Sequence, residues 1–360
     1  MKHRMLLVAV IGCGHGASLT QASSDVYVRS DTDATTIVSP TVRLAGEVGD
    51  ATLATTATVD AWTGASVDII TAATGRIDER RYEANVTAGY HVGVVSLSAN
   101  YRFSTENDYR SHGVTLGGKA ELANKNTTIS ADLLLTDDTV GRSGDPTFAE
   151  PVKSIGGKLA LAQILDRATL AELGWQTVVV DGFQSSPYRF VAIGDIGTCD
   201  SMAPFCIPEQ VPDRRVRNAL TLRARRALGH DFSTGLDYRF YFDDWGIMGH
   251  ALQPDLAWRL TETQLLSLRY RYATQSEAFF YRPRYFDVAR TDGFVTRDRK
   301  LSALLANEVG LSYQHRIESD DDRVITWGLR TTLSRTDYLA FVGLDHVWAL
   351  ELTALFGIEL

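Results

Sequence analysis

The stretch Phe232-Ser-Thr-Gly-Leu-Asp-Tyr-Arg-Phe-Tyr-Phe-Asp243 decides the reading of this chain. In an extended backbone, successive side chains point to opposite faces. Phe232, Thr234, Leu236, Tyr238, Phe240 and Phe242 therefore share one face, and Ser233, Asp237, Arg239 and Asp243 the other. The alternation outlasts an ordinary strand of about five or six residues. It matches the roughly 9–11 residues a tilted strand needs to cross a bilayer.

Working outward, the pattern recurs. Tyr82, Ala84, Val86, Ala88 and Tyr90 oppose Glu83, Asn85 and Thr87. Val95, Leu97, Ala99, Tyr101 and Phe103 oppose Ser96, Ser98, Asn100 and Arg102. Ile129, Ala131, Leu133 and Leu135 oppose Ser130 and Asp132, and Leu266, Leu268, Tyr270 and Tyr272 oppose Ser267, Arg269 and Arg271. A soluble sandwich alternates too, but with shorter strands and turns every 8–12 residues or so. Tight joins (Gly49-Asp50, His91-Val92-Gly93, Asn124-Lys125-Asn126, Gly229-His230-Asp231, Thr261-Glu262-Thr263) take turns with long polar ones near 63–80, 138–152, 181–215 and 275–301. That layout predicts an all-β, transmembrane antiparallel β-barrel with short periplasmic turns and longer extracellular loops.

About 16 strands are expected, in keeping with the even count of single-chain bacterial barrels. Their spans are 25–31, 35–48, 51–63, 81–91, 93–105, 110–123, 127–138, 153–164, 167–181, 216–228, 231–244, 249–260, 262–274, 302–315, 322–334 and 344–360. Aromatic residues beside the loops, such as Tyr101, Phe103, Phe240, Phe242, Tyr270 and Tyr272, suit girdles at the lipid interface. One departure is the chain end, Gly357-Ile358-Glu359-Leu360, where barrels commonly carry an aromatic residue; Phe356 lies four short of it.

The N-terminus reads as an export signal: Lys2, His3 and Arg4, an apolar run from Met5 to Ile11, then small residues to Ala22. The domain plan is a signal peptide over 1–22 and a barrel over 23–360, in the outer membrane of a Gram-negative bacterium. Val10-Ile11-Gly12-Cys13 also resembles a lipobox, so lipidation at Cys13 is the rival to cleavage after Ala22. Cys199 and Cys206 are expected to form a disulfide in an oxidising compartment. No other Cys pair stands near them to complete a metal site.

Net charge is −8, which offers no basic field to nucleic acid. Only six of the 36 Lys and Arg residues are Lys, and Arg suits paired charges in a confined space. If the apolar faces meet lipid, the polar faces line a lumen. Glu83, Arg102, Lys119, Glu121, Asp132, Glu172, Asp255, Arg259 and Arg330 would then point inward. The set expected to govern lumen charge and selectivity is Arg223, Arg225, Asp237, Arg239, Asp243, Arg269, Arg271 and Glu308. The alternative role is mutual pairing that solvates and stiffens the wall.

Asp237-Tyr-Arg-Phe-Tyr-Phe-Asp-Asp-Trp-Gly-Ile-Met-Gly-His250, Arg271-Tyr-Ala-Thr-Gln-Ser-Glu-Ala-Phe-Phe-Tyr281 and Asp60-Ala-Trp-Thr-Gly-Ala-Ser66 are similar to strings of an uncharacterised outer-membrane barrel family, a domain of unknown function. Ser186-Pro-Tyr-Arg189 and Val211-Pro-Asp-Arg-Arg-Val-Arg217 resemble the edges of its long central loop. The resemblance implies a porin-like barrel and an outer-membrane location, and no particular activity. Family members encoded beside flavin-transferase-like and thioredoxin-like proteins point to a redox-linked envelope system.

No catalytic residues, metal or cofactor are expected. Asp345 and His346 are neighbours and so fall on opposite faces of a strand. No Gly-x-Ser-x-Gly, His-Glu-x-x-His or Cys-x-x-Cys-His string is present. The expected function is a porin-like pore, or a wall for a periplasmic or lumenal protein partner. Outer-membrane lipid surrounds it, and small solutes pass if it is open. The alternatives are a plugged interaction barrel and, less favoured, an outer-membrane hydrolase using a rim His such as His250.

Overall fold

The computed structural model describes residues 17–64, 77–194, 199, 205–319 and 323–360. Cys13 and the rest of the basic and apolar start lie outside them. The strands are β1 (Ala17–Asp31), β2 (Thr35–Val48), β3 (Ala51–Gly64), β4 (Ile77–Val92), β5 (Val95–Thr105), β6 (Tyr109–Leu122), β7 (Thr127–Arg142), β8 (Asp145–Asp166) and β9 (Thr169–Gly182). After the short pair β10 (Phe190–Ala192) and β11 (Cys206–Pro208) come β12 (Arg214–Leu228), β13 (Phe232–Asp243), β14 (Met248–Arg259), β15 (Gln264–Gln275), β16 (Leu304–Glu318), β17 (Val324–Tyr338) and β18 (His346–Glu359). All but β10 and β11 form one closed antiparallel barrel of 16 strands. β1 closes it on β18, from Gln21↔Glu359 to Asp31↔Ala349.

The barrel is inside-out. Along β13 the apolar parity faces outward, with Leu236 46% exposed, and β15, β17 and β18 turn out Leu268, Leu329 and Leu352 in the same way. In water such a surface would be costly, whereas in lipid it is the solvated one. Aromatic contacts collect at two heights of this surface. Tyr101, Phe103 and His112, and Trp175, Tyr238, Phe240, Phe242 and His250, form one group towards the loop end. Phe232 with Trp258, and Tyr313 with Trp327 and His315, form the other towards the turn end. Phe356 also faces outward on β18, 51% exposed, so the last strand carries its aromatic within its length.

Two expectations need correction. The long join at 138–152 is a two-residue turn, Ser143-Gly144, between β7 and β8. The ladder runs on through Thr139↔Pro151, Val140↔Glu150 and Gly141↔Ala149. Above the lipid band a strand has no reason to alternate apolar and polar residues, so the hydrophobic signal vanishes while the backbone pairing continues. The first strand also begins earlier than residue 25: β1 starts at Ala17 and pairs with β2 from Ala17↔Val48.

At the loop end the connections build a cap with a conventional core. Val211, Trp245, Ile247, Ala278, Phe280, Tyr281, Leu301 and Phe341 come from four different loops and are buried together. Val191, Tyr285 and Val295 form a second cluster. Paired backbone bonds between Gln210 and Val295, and a bridge between Ile193 and Tyr285, stitch the β9–β12 loop to the β15–β16 loop. The Tyr285 hydroxyl donates to carbonyls of Phe280 and Thr296 and accepts the amides of Arg282 and Thr296. The disulfide Cys199–Cys206 fastens the first residue of β11 to the loop that precedes it. The cap is tied to the rim on two sides. Tyr188 donates to Asp108 in the β5–β6 turn, and Arg299 pairs with Asp33 in the β1–β2 turn.

Candidate functional site: the lumen wall and an arginine-lined cavity

The inward parity of the strands carries the charge, and most of it is locally neutralised. Arg225 forks onto Asp237 at 2.6 and 2.9 Å and reaches Asp255 at 3.6 Å. That convergence needs Gly235, where a Cβ would stand 2.3 Å from an Asp255 carboxylate oxygen and 2.7 Å from the Arg225 guanidinium. Arg223 pairs with Glu172 at 3.1 Å, its register partner on β9. Arg271 pairs with its own register partner Glu308 on β16. Arg102 with Glu83, Lys119 with Glu121, and Arg81 with Asp60 continue the theme on the opposite half of the ring. These side chains stay wet: Arg223 and Arg225 are 47% and 43% exposed. Each such pair is worth about 0–1 kcal/mol, so the pairs neutralise the wall more than they stabilise it.

Asp243 has a different place from the one expected. Its side chain is completely buried at the loop end of β13. It accepts Arg215 Nε and Nη2 at 2.9 and 2.6 Å, the Tyr241 hydroxyl at 2.6 Å and the Ile247 amide at 2.9 Å. The Arg215 guanidinium in turn lies 4.2 Å over the Trp245 ring, itself part of the cap core. Asp243 therefore anchors the Asp243-Asp244-Trp245-Gly246 turn to the wall. Asp244 completes the turn by accepting the Val216 amide at 2.8 Å.

Arg217, Arg239, Arg269 and Arg330 remain. None of them has a carboxylate within ion-pair distance among the described residues. Arg269 lies against Gly310, whose Cβ would come within 3.4 Å of its guanidinium. Arg217 and Arg239 come together with Gln176, Val178, Arg215, Ala219, Tyr241 and Gln275 around a cavity of about 430 Å³ in the lumen wall. Its floor is made by small residues in register. Tyr241 pairs with Ala219 on one side and Gly249 on the other, and Gly249 pairs with Gln275. Ala219 and Gly249 send no bulk inward, so the cavity spans from β9 to β15. Within it, Arg217 Nε is buried and has no hydrogen-bond partner. An orphaned buried donor costs about 1–3 kcal/mol.

A contrasting acidic group sits further round the ring. Ligand oxygens of Glu79, Glu106 and Asp108 all lie within 4.8 Å of one another. Burial pushes the Glu106 carboxyl above its usual range, Arg81 pulls it partly back, and Asp108 and Asp60 push it up further. Three carboxylates at that spacing have the right atoms for a divalent cation, but Asp108 is already engaged by the Tyr188 hydroxyl.

Of the eight residues expected to set lumen charge, Arg223, Arg225, Asp237, Arg271 and Glu308 are joined in pairs, Asp243 is an anchor, and Arg239 and Arg269 are free of carboxylates. Sequence reading missed Arg215 and Arg217. The signal was present: both share odd parity with Arg223 and Arg225, and so the same face; Arg215 falls one residue before the span expected from 216, and Arg217 lies at its start. His250 belongs to the outer aromatic group, where its Nδ1 lies 2.8 Å from the Tyr238 hydroxyl and its ring stacks on Phe240.

The fold is shared with a bacterial polysaccharide outer membrane secretin, at 12% identity and a TM-score of 0.51, over 93% of this chain and 97% of that one. Two further solved barrels are similar at lower scores. Pseudomonas aeruginosa OccD3 (OpdP) aligns at 10% identity and TM-score 0.48, over 96% of this chain and 92% of that one. Pseudomonas aeruginosa OprD aligns at 9% and 0.47, over 95% and 94%. No curated protein matches the sequence. The family described as Protein of unknown function (DUF3570) matches residues 71–154 and 149–326, and on that coverage this chain belongs to it.

Proposed function

We propose that the chain is an outer-membrane pore for small solutes, with a lumen lined by paired charges and an outer mouth narrowed by the loop cap. The observation that carries this reading is the wetness of the inward charges. Arg223 and Arg225 keep nearly half their surface exposed even though they point to the interior of the ring. A filled interior would have buried them, at a desolvation cost their pairing could not repay. An apolar exterior with aromatic groups at two heights supports the membrane setting. In this reading no step of catalysis falls to the chain, and Met1–Ala22 is the export segment. Cleavage after Ala22 would remove the start of β1 and leave Ser23↔Gly357 to Asp31↔Ala349 to close the barrel.

The loop cap favours a second reading, a closed barrel that serves as an interaction wall. The β9–β12 and β15–β16 loops meet each other and reach both the β5–β6 and the β1–β2 turns. Liposome swelling separates the two. A pore admits arabinose and amino-acid-sized solutes at a rate that rises with protein content. A closed barrel leaves the rate at that of protein-free vesicles.

A further inference from the structure

We infer that the cavity between β9, β12, β13 and β15 is a binding site for an oxyanion, the carboxylate or phosphate group of a small solute, held by Arg217 and Arg239. The inference rests on the lumen being aqueous and deepens that reading by naming a ligand class. Charge is the first argument. Arg215 lines the same cavity but is committed to Asp243, and Arg225 occupies Asp237, the carboxylate two residues from Arg239. The cavity is therefore left with two guanidinium groups and no protein anion of its own.

Hydrogen bonding is the second argument. Arg217 Nε is a buried donor with no acceptor. A water molecule could satisfy that donor, but it would leave two like charges in one confined wall site. An oxyanion satisfies both needs, since guanidinium and carboxylate or phosphate match as planar forks. Gln176 adds a neutral amide at one end, able to bond a ligand without cancelling its charge, while the Gln275 amide at the other end donates to the carbonyls of Lys300 and Ser302. Size is the third: about 430 Å³ admits a small organic acid or a phosphate ester and no folded partner. The acidic group of Glu79, Glu106 and Asp108 stands elsewhere on the ring, so an anion in the lumen is drawn to the arginine wall.

The test is titration calorimetry on the full, detergent-folded barrel, with inorganic phosphate in one arm and succinate in the other. Saturable binding is expected in at least one arm, and the arm that binds more tightly identifies the group. Arg239→Gln should weaken it about tenfold or more, the loss of one charge-assisted fork. Arg330→Gln removes an equally unpaired inward charge outside the cavity and should change affinity by less than about twofold. Arg239 is exposed to the lumen, so its substitution does not endanger folding as that of Arg217 could. Absence of saturable binding in both arms overturns the inference, as does equal weakening by Arg239→Gln and Arg330→Gln, which would reduce the site to a diffuse field. Binding by a barrel that fails the swelling assay would overturn the pore and leave the site standing.

Discussion

The wall and the cap bury their apolar residues in opposite directions. In the wall, Leu268, Leu329 and Leu352 face out and the charges face in, whereas in the cap Phe280, Tyr281, Ile247 and Val295 are almost completely enclosed. One chain thus obeys two solvents. Where lipid is outside, apolar side chains gain nothing by hiding, and the backbone must satisfy itself through a closed ladder. Where water is outside, the ordinary hydrophobic effect assembles loops from four parts of the chain around Phe280 and Trp245. The joint between the two regimes is polar, with Asp243 holding Arg215, Tyr241 and the turn amide of Ile247 at once.

The largest effect expected from breaking this comparison is in the cap. Phe280→Ala should cost the cap about 3–5 kcal/mol, the usual loss for a buried Phe. Hydrogen exchange would show loops 183–213 and 276–303 opening while the ladder of the wall stays protected. Equal loss of protection in both regions would mean that wall and cap are one cooperative unit.

In the wall, Leu352→Arg puts a charge at the middle of β18 on the outer face. It should cost about 2–4 kcal/mol in lipid, read as a lower urea midpoint for folding into vesicles. Thr331→Arg on the neighbouring outer position, 331↔352 in register, should act in the same sense. Substitution of the inward Ser334 by Arg should cost much less. A reversal of that order would mean that the two faces are assigned the wrong way round.

The smallest effect concerns the seam between cap and rim. Burial and the nearby Asp108 and Asp60 raise Glu106, so its protonated form is favoured in the folded state. A raised acid contributes stability that is fully present below its unfolded pKa and lost as pH rises through the folded one. Protection of the segment around Tyr188 should therefore be higher near pH 4 than near pH 8. Glu106→Gln should flatten the difference. A pH profile unchanged by that substitution would assign the seam's behaviour to another group.

The fold was legible because lipid writes a strict period of two into each strand. Phe232 to Asp243, Val95 to Thr105 and Leu266 to Tyr272 could be read face by face, and the barrel has the expected strand count. The rule stops where lipid stops. Above the band, β7 and β8 pair through Pro151 and Glu150 without alternation, which reads as a loop in sequence. The site was half legible. Parity gave the inward set, but which charges cancel depends on register, and register between Arg271 and Glu308 or Arg223 and Glu172 is a property of the folded sheet. Arg217 and Arg239 became distinct only once their neighbours had been paired off. The cap core was not legible, since Ala278, Phe280 and Tyr281 sit in a segment without periodicity.

The most direct measurement is single-channel conductance of the detergent-folded protein in a planar bilayer, with folding confirmed by heat-modifiable gel mobility. The expected result is stepwise current that favours anions over cations, with the preference reduced by Arg239→Gln. Sustained silence from folded protein, unrelieved by Phe280→Ala opening the cap, would contradict an aqueous, charge-lined lumen.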